Sequence, residues 1–390
     1  MKLRFKLKLV LGGLLLAGLA ACGGGSGSSG STADSGTLRL ALTDAPTCGY
    51  DAVNVTIQKV RVNQSSSASD TVAGWSEVVL NPAQRVNLLT LSNGVLDELG
   101  QTPLPTGKYT QLRLVLSDND ASHPMANSVL PTGGTETALK TPSGQQSGVK
   151  ANIDIDITAN KMADFVLDFD ACKSVVVAGN SGQYLLKPVV NVIPRYLSGV
   201  TGFVDATLVN GSTSVSLQQG GVVIKATTPG SNGQFLLQPV APGSYTLVLT
   251  APGRTTAVVT NVAVATDTVT PVNASGTALN PPASASGTVN GTAPVETLVR
   301  VLQPLTVGAT VEIAGRYVDG STGSYSYPLV VNAPLVAPYV VAPGVLVFAA
   351  DAAAAGNYTL GASLAGFQDK VIPLGTLTSG TTITTNLTFP

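Results

Sequence analysis

Asn152-Ile153-Asp154-Ile155-Asp156-Ile157 alternates apolar and polar side chains without a break, and a few residues later Phe165-Val166-Leu167-Asp168-Phe169-Asp170 nearly repeats the pattern. A period of two puts successive side chains on opposite faces of an extended backbone, so each stretch predicts a strand. The turn-like Ala159-Asn160-Lys161-Met162-Ala163 between them predicts a hairpin. With the apolar residues sharing one face, Ile157 pairs with Phe165, Ile155 with Leu167 and Ile153 with Phe169. That register sets Asp154 opposite Asp168, with Asp156 and Asp170 near them. Like charges facing each other in a sheet are unfavourable unless something neutralises them. Three outcomes are open. A calcium ion could be held by Asp154, Asp156, Asp168 and Asp170, with Asp118, Asn119 and Asp120 as loop ligands in a spacing unlike an EF-hand. Lys150, Lys173 or Lys187 could neutralise the charge, or the face could simply be wet. No other cofactor is expected, since no phosphate loop, zinc cluster or dinucleotide fingerprint occurs.

The same period of two runs through most of the chain. Thr37 to Leu42, Val53 to Ile57 and Tyr109 to Leu116 are short runs rich in Val, Ile, Leu, Thr and Tyr between Gly, Pro, Asn and Asp. A helical turn is expected only around Leu88 to Leu99. At 390 residues the chain exceeds one ordinary domain. The fold class read from this is all-β: a larger antiparallel β domain followed by two small Ig/transthyretin-like β-sandwich modules.

Charged residues make up 11% of the chain, well below the roughly 25% of typical soluble proteins. The formal net charge is −1, and because Lys2, Arg4, Lys6 and Lys8 lie in the leader, the remainder is more acidic still. Nucleic acid and anionic lipid surfaces need clustered positive charge and are not expected partners.

Met1 to Lys8 is a basic segment and Leu9 to Leu19 an apolar one too short to span a bilayer. The run ends in Leu19-Ala20-Ala21-Cys22, which resembles the bacterial lipobox. That resemblance implies cleavage before Cys22 and lipidation of its thiol, anchoring the chain to a membrane outside the cytoplasm. Two or more acyl chains anchor stably, whereas one is marginal. Gly23 after the cysteine, by analogy with other lipoproteins, implies an outer-membrane address. The Gly/Ser run from Gly23 to Ser31 is a flexible tether. Of the three cysteines, Cys48 and Cys172 remain; a disulfide between them and two buried free thiols are both open. Pro328 to Ala355 is apolar but broken by Pro334, Pro338 and Pro343, so no spanning helix is expected there.

Leu42-Thr43-Asp44-Ala45-Pro46, Pro105-Thr106-Gly107-Lys108-Tyr109, Thr141 to Lys150 and Asp168-Phe169-Asp170-Ala171 occur in order, with Tyr184 to Val189 behind them. They resemble a family of bacterial lipoprotein domains, the domain of unknown function 4382, which brings no assigned activity. Further on, Asn232-Gly233-Gln234-Phe235-Leu236-Leu237 followed by Val240 to Leu247 resembles the carboxypeptidase regulatory-like module. That resemblance implies a small seven-stranded sandwich related to transthyretin. Gly356-Asn357-Tyr358-Thr359-Leu360 echoes Gly243-Ser244-Tyr245-Thr246-Leu247, which points to a degenerate repeat of the module. The segment from Val299 to Val347 follows no such pattern.

Catalytic signals are weak. His123 is the sole histidine and sits in a loop-like stretch with no nucleophile elbow nearby. Ser147-Gly148-Val149-Lys150 and Ser117-Asp118-Asn119 imitate penicillin-binding motifs, but in reversed order and on strand-like sequence, where positions three apart face opposite ways. Sugar binding would need exposed aromatics; Tyr317, Tyr325, Tyr327 and Tyr339 are the candidates, with Tyr325 and Tyr327 foremost, although alternation suits core packing equally. The expected organisation is a leader over 1–21, a tether over 22–36, a β domain over 37–196, a sandwich over 197–279, a stiff Asn280-Pro281-Pro282 linker and a second sandwich over 283–390. The function read from this is a non-enzymatic envelope lipoprotein for display, spacing or binding, with an envelope protein or a glycan as partner. The alternative is a carbohydrate-binding lipoprotein at the cell surface or in the periplasm.

Overall fold

Alternation becomes sheet from Ser35 onward in the computed structural model, which describes residues 34–44, 49–142, 148–341 and 344–390. The first β unit contains β1 (Ser35–Asp44), β2 (Tyr50–Asn63), β3 (Ser76–Asn87), β4 (Asp97–Pro105), β5 (Gly107–Leu116), β6 (Ser128–Pro131), β7 (Thr137–Lys140), β8 (Val149–Ile157) and β9 (Met162–Phe169). A short helix α1 (Ala171–Ser174) leads to β10 (Val175–Val177), β11 (Tyr184–Leu186) and β12 (Val190–Pro194). They form a four-stranded sheet β12-β9-β1-β4 and an eight-stranded sheet β10-β11-β7-β6-β2-β5-β8 with β3 beside β2. The ladders are mostly antiparallel, but β1 runs parallel to β9 and β7 to β11. Leu38, Leu40, Leu42, Leu112, Leu114, Ile155 and Phe169 belong to one core.

β2 shows how the sequence sets local geometry. Val53, Val55 and Ile57 are buried, then Val60 and Val62, so the apolar phase slips by one residue. Both neighbouring ladders shift register between Ile57 and Lys59, and a bulge there returns each valine to the core. The expected turn near Leu88 is a single 3-10 turn, Leu88–Leu91, capped by Asn87 accepting from the Leu89 N–H.

The second unit holds β13 (Gly199–Phe203), β14 (Ser214–Gln219), β15 (Val222–Thr227), β16 (Gln234–Leu237), β17 (Gly243–Thr250), β18 (Ala257–Val264) and β19 (Val269–Pro271). A sheet β16-β13-β19 faces a sheet β15-β14-β17-β18. The third holds β20 (Ser286–Thr292), β21 (Leu298–Pro304), β22 (Thr310–Tyr317), β23 (Ser324–Val330), β24 (Leu335–Pro338), β25 (Ala349–Ala350), β26 (Thr359–Ser363), β27 (Lys370–Pro373) and β28 (Thr382–Thr384). Setting β24 and β25 aside, its sheets are β23-β20-β28 and β22-β21-β26-β27. The strand plan is that of the second unit, down to the parallel pairing of first and last strands, β13 with β19 and β20 with β28.

β24 and β25 leave their own unit. β24 lies parallel to β18, with Ala257 opposite Leu335 and Thr260 opposite Pro338, and extends the second unit's sheet. Tyr339, Leu346 and Phe348 then pack on the second unit's core. The linker is pinned too, because the Thr255 N–H donates to the Pro282 carbonyl at 2.9 Å. Among the described residues no helix is long and apolar enough to cross a membrane.

Candidate functional site

The acidic hairpin does not form. β8 pairs with β5 at the edge of the eight-stranded sheet, whereas β9 sits between β12 and β1 in the other. Alternation was read correctly along each strand; pairing across the turn was not, because β1 offers β9 an unbroken parallel partner from Thr37 to Asp44. The four carboxylates therefore do not converge as calcium ligands. Asp154 and Asp156 point to solvent from β8, with Asp154 paired to Lys108 at 2.8 Å. Among the described residues no group of three or more His, Cys, Asp or Glu side chains could hold a metal ion.

Asp168 and Asp170 lie elsewhere, at the junction of the three units. Phe165, Leu167 and Phe169 enter the first core, which turns Asp164, Val166 and Asp168 to the opposite face. That face is covered: Val166 and Asp168 are both buried. Asp164 stays at its rim and pairs with Arg39. The second unit supplies the cover, and its Lys225, on β15, pairs with Asp168 in full burial. Burial pushes the Asp168 carboxyl above its ordinary value, against the pull of Lys225. Asn93 clasps the same interface. Its backbone N–H donates to the Thr227 hydroxyl and its side-chain oxygen accepts from the Leu236 N–H, both at 2.6 Å.

Asp170 caps α1 by accepting from the Lys173 N–H at 2.9 Å. Lys173 reaches from α1 to Glu312 of β22 at 2.9 Å, and Arg300 of β21 holds the other Glu312 oxygen at 3.2 Å. Burial would lower the Lys173 ammonium, but Asp170 and Glu312 outweigh it and the group is raised. Gln218 of the second unit completes the junction with its side-chain amide. It donates to the Glu312 carbonyl at 2.8 Å and accepts from the Glu312 N–H at 2.7 Å, as a neighbouring strand would. A few residues on, Asp319 accepts from the Gly179 N–H at 2.7 Å. Although burial pushes the Asp319 carboxyl up, N–H donors from Thr322, Ser321 and Gly179 hold it well below the carboxylate range.

These contacts frame a cleft of about 1050 Å³ to which all three units contribute. Tyr50 and Lys173 line it from the first unit, Ser214 from the second, and Glu312, Arg316 and Asn386 from the third. Burial pushes the Tyr50 phenol up to about 12. The Arg316 guanidinium stacks over the Tyr327 ring at 4.9 Å. Hydroxyl, amide and guanidinium groups beside tyrosine suit a polar, uncharged or mixed-charge ligand.

Tyr325 and Tyr327 pack in the third core at 5% and 4% exposure and, with Tyr317, also line the cleft. Their hydroxyls donate to the carbonyls of Thr385 and Val299, which carries the phenol tips inward. Tyr317 lies under Lys187 at 5.8 Å, and the Tyr339 hydroxyl donates to the Pro271 carbonyl at 3.3 Å. His123 is an exposed loop residue 3.4 Å from Asp120, away from the cleft. Lys150 donates to the Ser66 carbonyl at 2.9 Å; Ser147 lies outside the described residues. So do Cys22 and Cys48, whereas Cys172 falls within α1.

Of the junction residues, sequence reasoning reached Asp168, Asp170 and Lys173 and missed Lys225 and Glu312. The missed signal was a charge inside otherwise apolar strands, Val222-Val223-Ile224-Lys225-Ala226 and Val311-Glu312-Ile313.

Residues 35–188 match the family model described as a domain of unknown function, DUF4382, in agreement with the resemblance read from the sequence. No curated protein matches the chain. Among solved structures, a type II cohesin–X-dockerin complex from Acetivibrio cellulolyticus is similar at 23% identity over 22% of this chain and 58% of that one, with a TM-score of 0.19. The TIE protein of Bacillus anthracis is similar at 10% identity over 92% of this chain and 51% of that one, TM-score 0.18. A streptococcal ancillary pilin is similar at 10% identity over 90% of this chain and 98% of its own, TM-score 0.15. The chain thus spans 58% and 51% of the first two structures it matches.

Proposed function

We propose that the protein is a non-enzymatic display or binding lipoprotein of the bacterial envelope, anchored through lipid on Cys22 and held off the outer membrane by its Gly/Ser tether. The observation that carries this is the way the three β units are joined. Buried ion pairs, a shared ladder and a pinned linker make one continuous body, which suits a stalk or platform better than parts that must move past each other. A disulfide between Cys48 and Cys172 belongs to the same reading, since an oxidising compartment permits it. Radiolabelled palmitate should enter the wild-type chain and not Cys22→Ala; label persisting in the variant would overturn the anchor. The disulfide is checked by thiol alkylation with and without reductant.

One observation favours a glycan as partner: the polar junction cleft, whose lining includes Tyr317, Tyr325 and Tyr327. Binding to a glycan array that Arg316→Ala abolishes would support that ligand, and silence across a broad array would remove it.

A further inference from the structure

Among the described residues Lys225 is the only buried lysine. Its side chain is 1% exposed and that of Asp168 is 7% exposed. An ammonium leaves water at a cost of several kcal/mol, offset only where its hydrogens find acceptors. Lys225 Nζ has three hydrogens as an ammonium, yet among the described residues it makes one hydrogen bond, to Asp168 Oδ1. Burial, and to a smaller extent the nearby Asp170 carboxylate, disfavours ionised Asp168. Their contact sets a nitrogen nucleophile against a carboxyl carbon, its acyl acceptor. An amide made from them has a single N–H to satisfy.

We propose that Lys225 and Asp168 condense into an intramolecular isopeptide bond joining the first β unit to the second. Lys225 Nζ attacks Asp168 Cγ, the N–C bond forms as the C–O bond breaks, and the departing hydroxyl leaves with a nitrogen proton as water. One water is released, two charges disappear, and no oxidant or co-reactant is consumed. The strands bring the groups together: β1 and β12 fix β9 from both sides, and β14 fixes β15. Contact persists for the life of the fold, which is the proximity that makes slow condensations proceed.

Peptide mapping of the full-length protein, reduced and digested with trypsin, tests this directly. Cleavage after Lys161 and Lys173 releases 162–173, which carries Asp168. A linked Lys225 resists cleavage, so 162–173 should appear joined to 196–254, one water lighter than the two peptides combined. The linear peptide 196–225 should be missing. Lys225→Met and Asp168→Ala should each return 162–173 to its unlinked mass. Complete recovery of linear 162–173 and 196–225 from the folded wild type would overturn the proposal, and that result needs no variant to fold. It would leave the anchored-display reading untouched, just as loss of lipid labelling would leave the crosslink standing.

Discussion

The second and third β units share one seven-strand plan, yet the edges of their four-stranded sheets end differently. In the second unit the edge strand β18 is covered by β24, a strand the third unit sends out between its own β23 and β26. In the third unit the equivalent edge, β27, has no outer neighbour among the described residues, and its Val371 is 67% exposed. A repeated plan thus makes the two units alike, while an insertion into one copy makes them inseparable. Val248 and Val258 of the second unit share a small core with Leu305, Val311 and Ala354 of the third, and neither unit completes that core alone.

The largest expected effect breaks the junction on its charged side. Glu312→Ala leaves Lys173 and Arg300 facing each other without their shared carboxylate, and removing one member of a buried pair costs about 3–5 kcal/mol. Calorimetry should then show the third unit melting before the rest; a single unchanged transition would mean the network contributes little to holding the units together. Next comes the apolar side. Leu305→Ala opens a cavity against Val248 and Val258 and should cost about 2–4 kcal/mol. Both sandwiches should lose stability together in chemical denaturation, and a loss confined to the third would show that the small core belongs to it alone.

Much of the plan was legible because alternation and turn chemistry are local. Pro105-Thr106-Gly107-Lys108-Tyr109 and Ala241-Pro242-Gly243-Ser244-Tyr245 both start a strand after a Gly turn. In each the tyrosine hydroxyl donates to the carbonyl four residues back, at 3.2 Å for Tyr109 and 2.9 Å for Tyr245. What the sequence hid was partnership between distant strands. β1 and β9 pair across more than a hundred intervening residues, and nothing near Asp168 announces that another unit will cover its face. Period two says which side chains share a face; it does not say whether that face meets water or Lys225. The departure of the Val299 to Val347 segment from the repeat has a comparable cause, since part of it serves the neighbouring sheet.

The echo between Tyr245 and Tyr358 sharpens the comparison further. Tyr245 bonds locally, whereas the Tyr358 hydroxyl donates across the unit to the Val330 carbonyl at 2.6 Å, on the strand just before the insertion. Tyr358→Phe should cost about 1 kcal/mol by removing the donor from that part-buried carbonyl, and Tyr245→Phe about 0.5. Burial also raises the phenols themselves, Tyr325 to about 12. A group whose folded value is raised contributes stability that is complete below its unfolded value, about 10 for tyrosine, and lost as pH climbs through the folded one. Unfolding free energy should therefore decline between about pH 10 and about pH 12. Phenolate absorbance appearing fully at the ordinary value in the folded protein would contradict that burial.

The smallest effect is expected where the two units differ most visibly. β27 carries Lys370 and ends at Pro373, both features that discourage another strand from adding to an edge. Val371→Lys would strengthen that protection on a side chain already in solvent, and should change stability by no more than about 0.5 kcal/mol. The matching position on the covered edge should behave otherwise: Val258→Lys places a charge in the small core beneath β24 and should part the insertion from β18. Equilibrium denaturation of the pair gives the contrast in one experiment. If Val371→Lys proves as costly as Val258→Lys, β27 is covered in the folded protein as β18 is, and the two edges are not different after all.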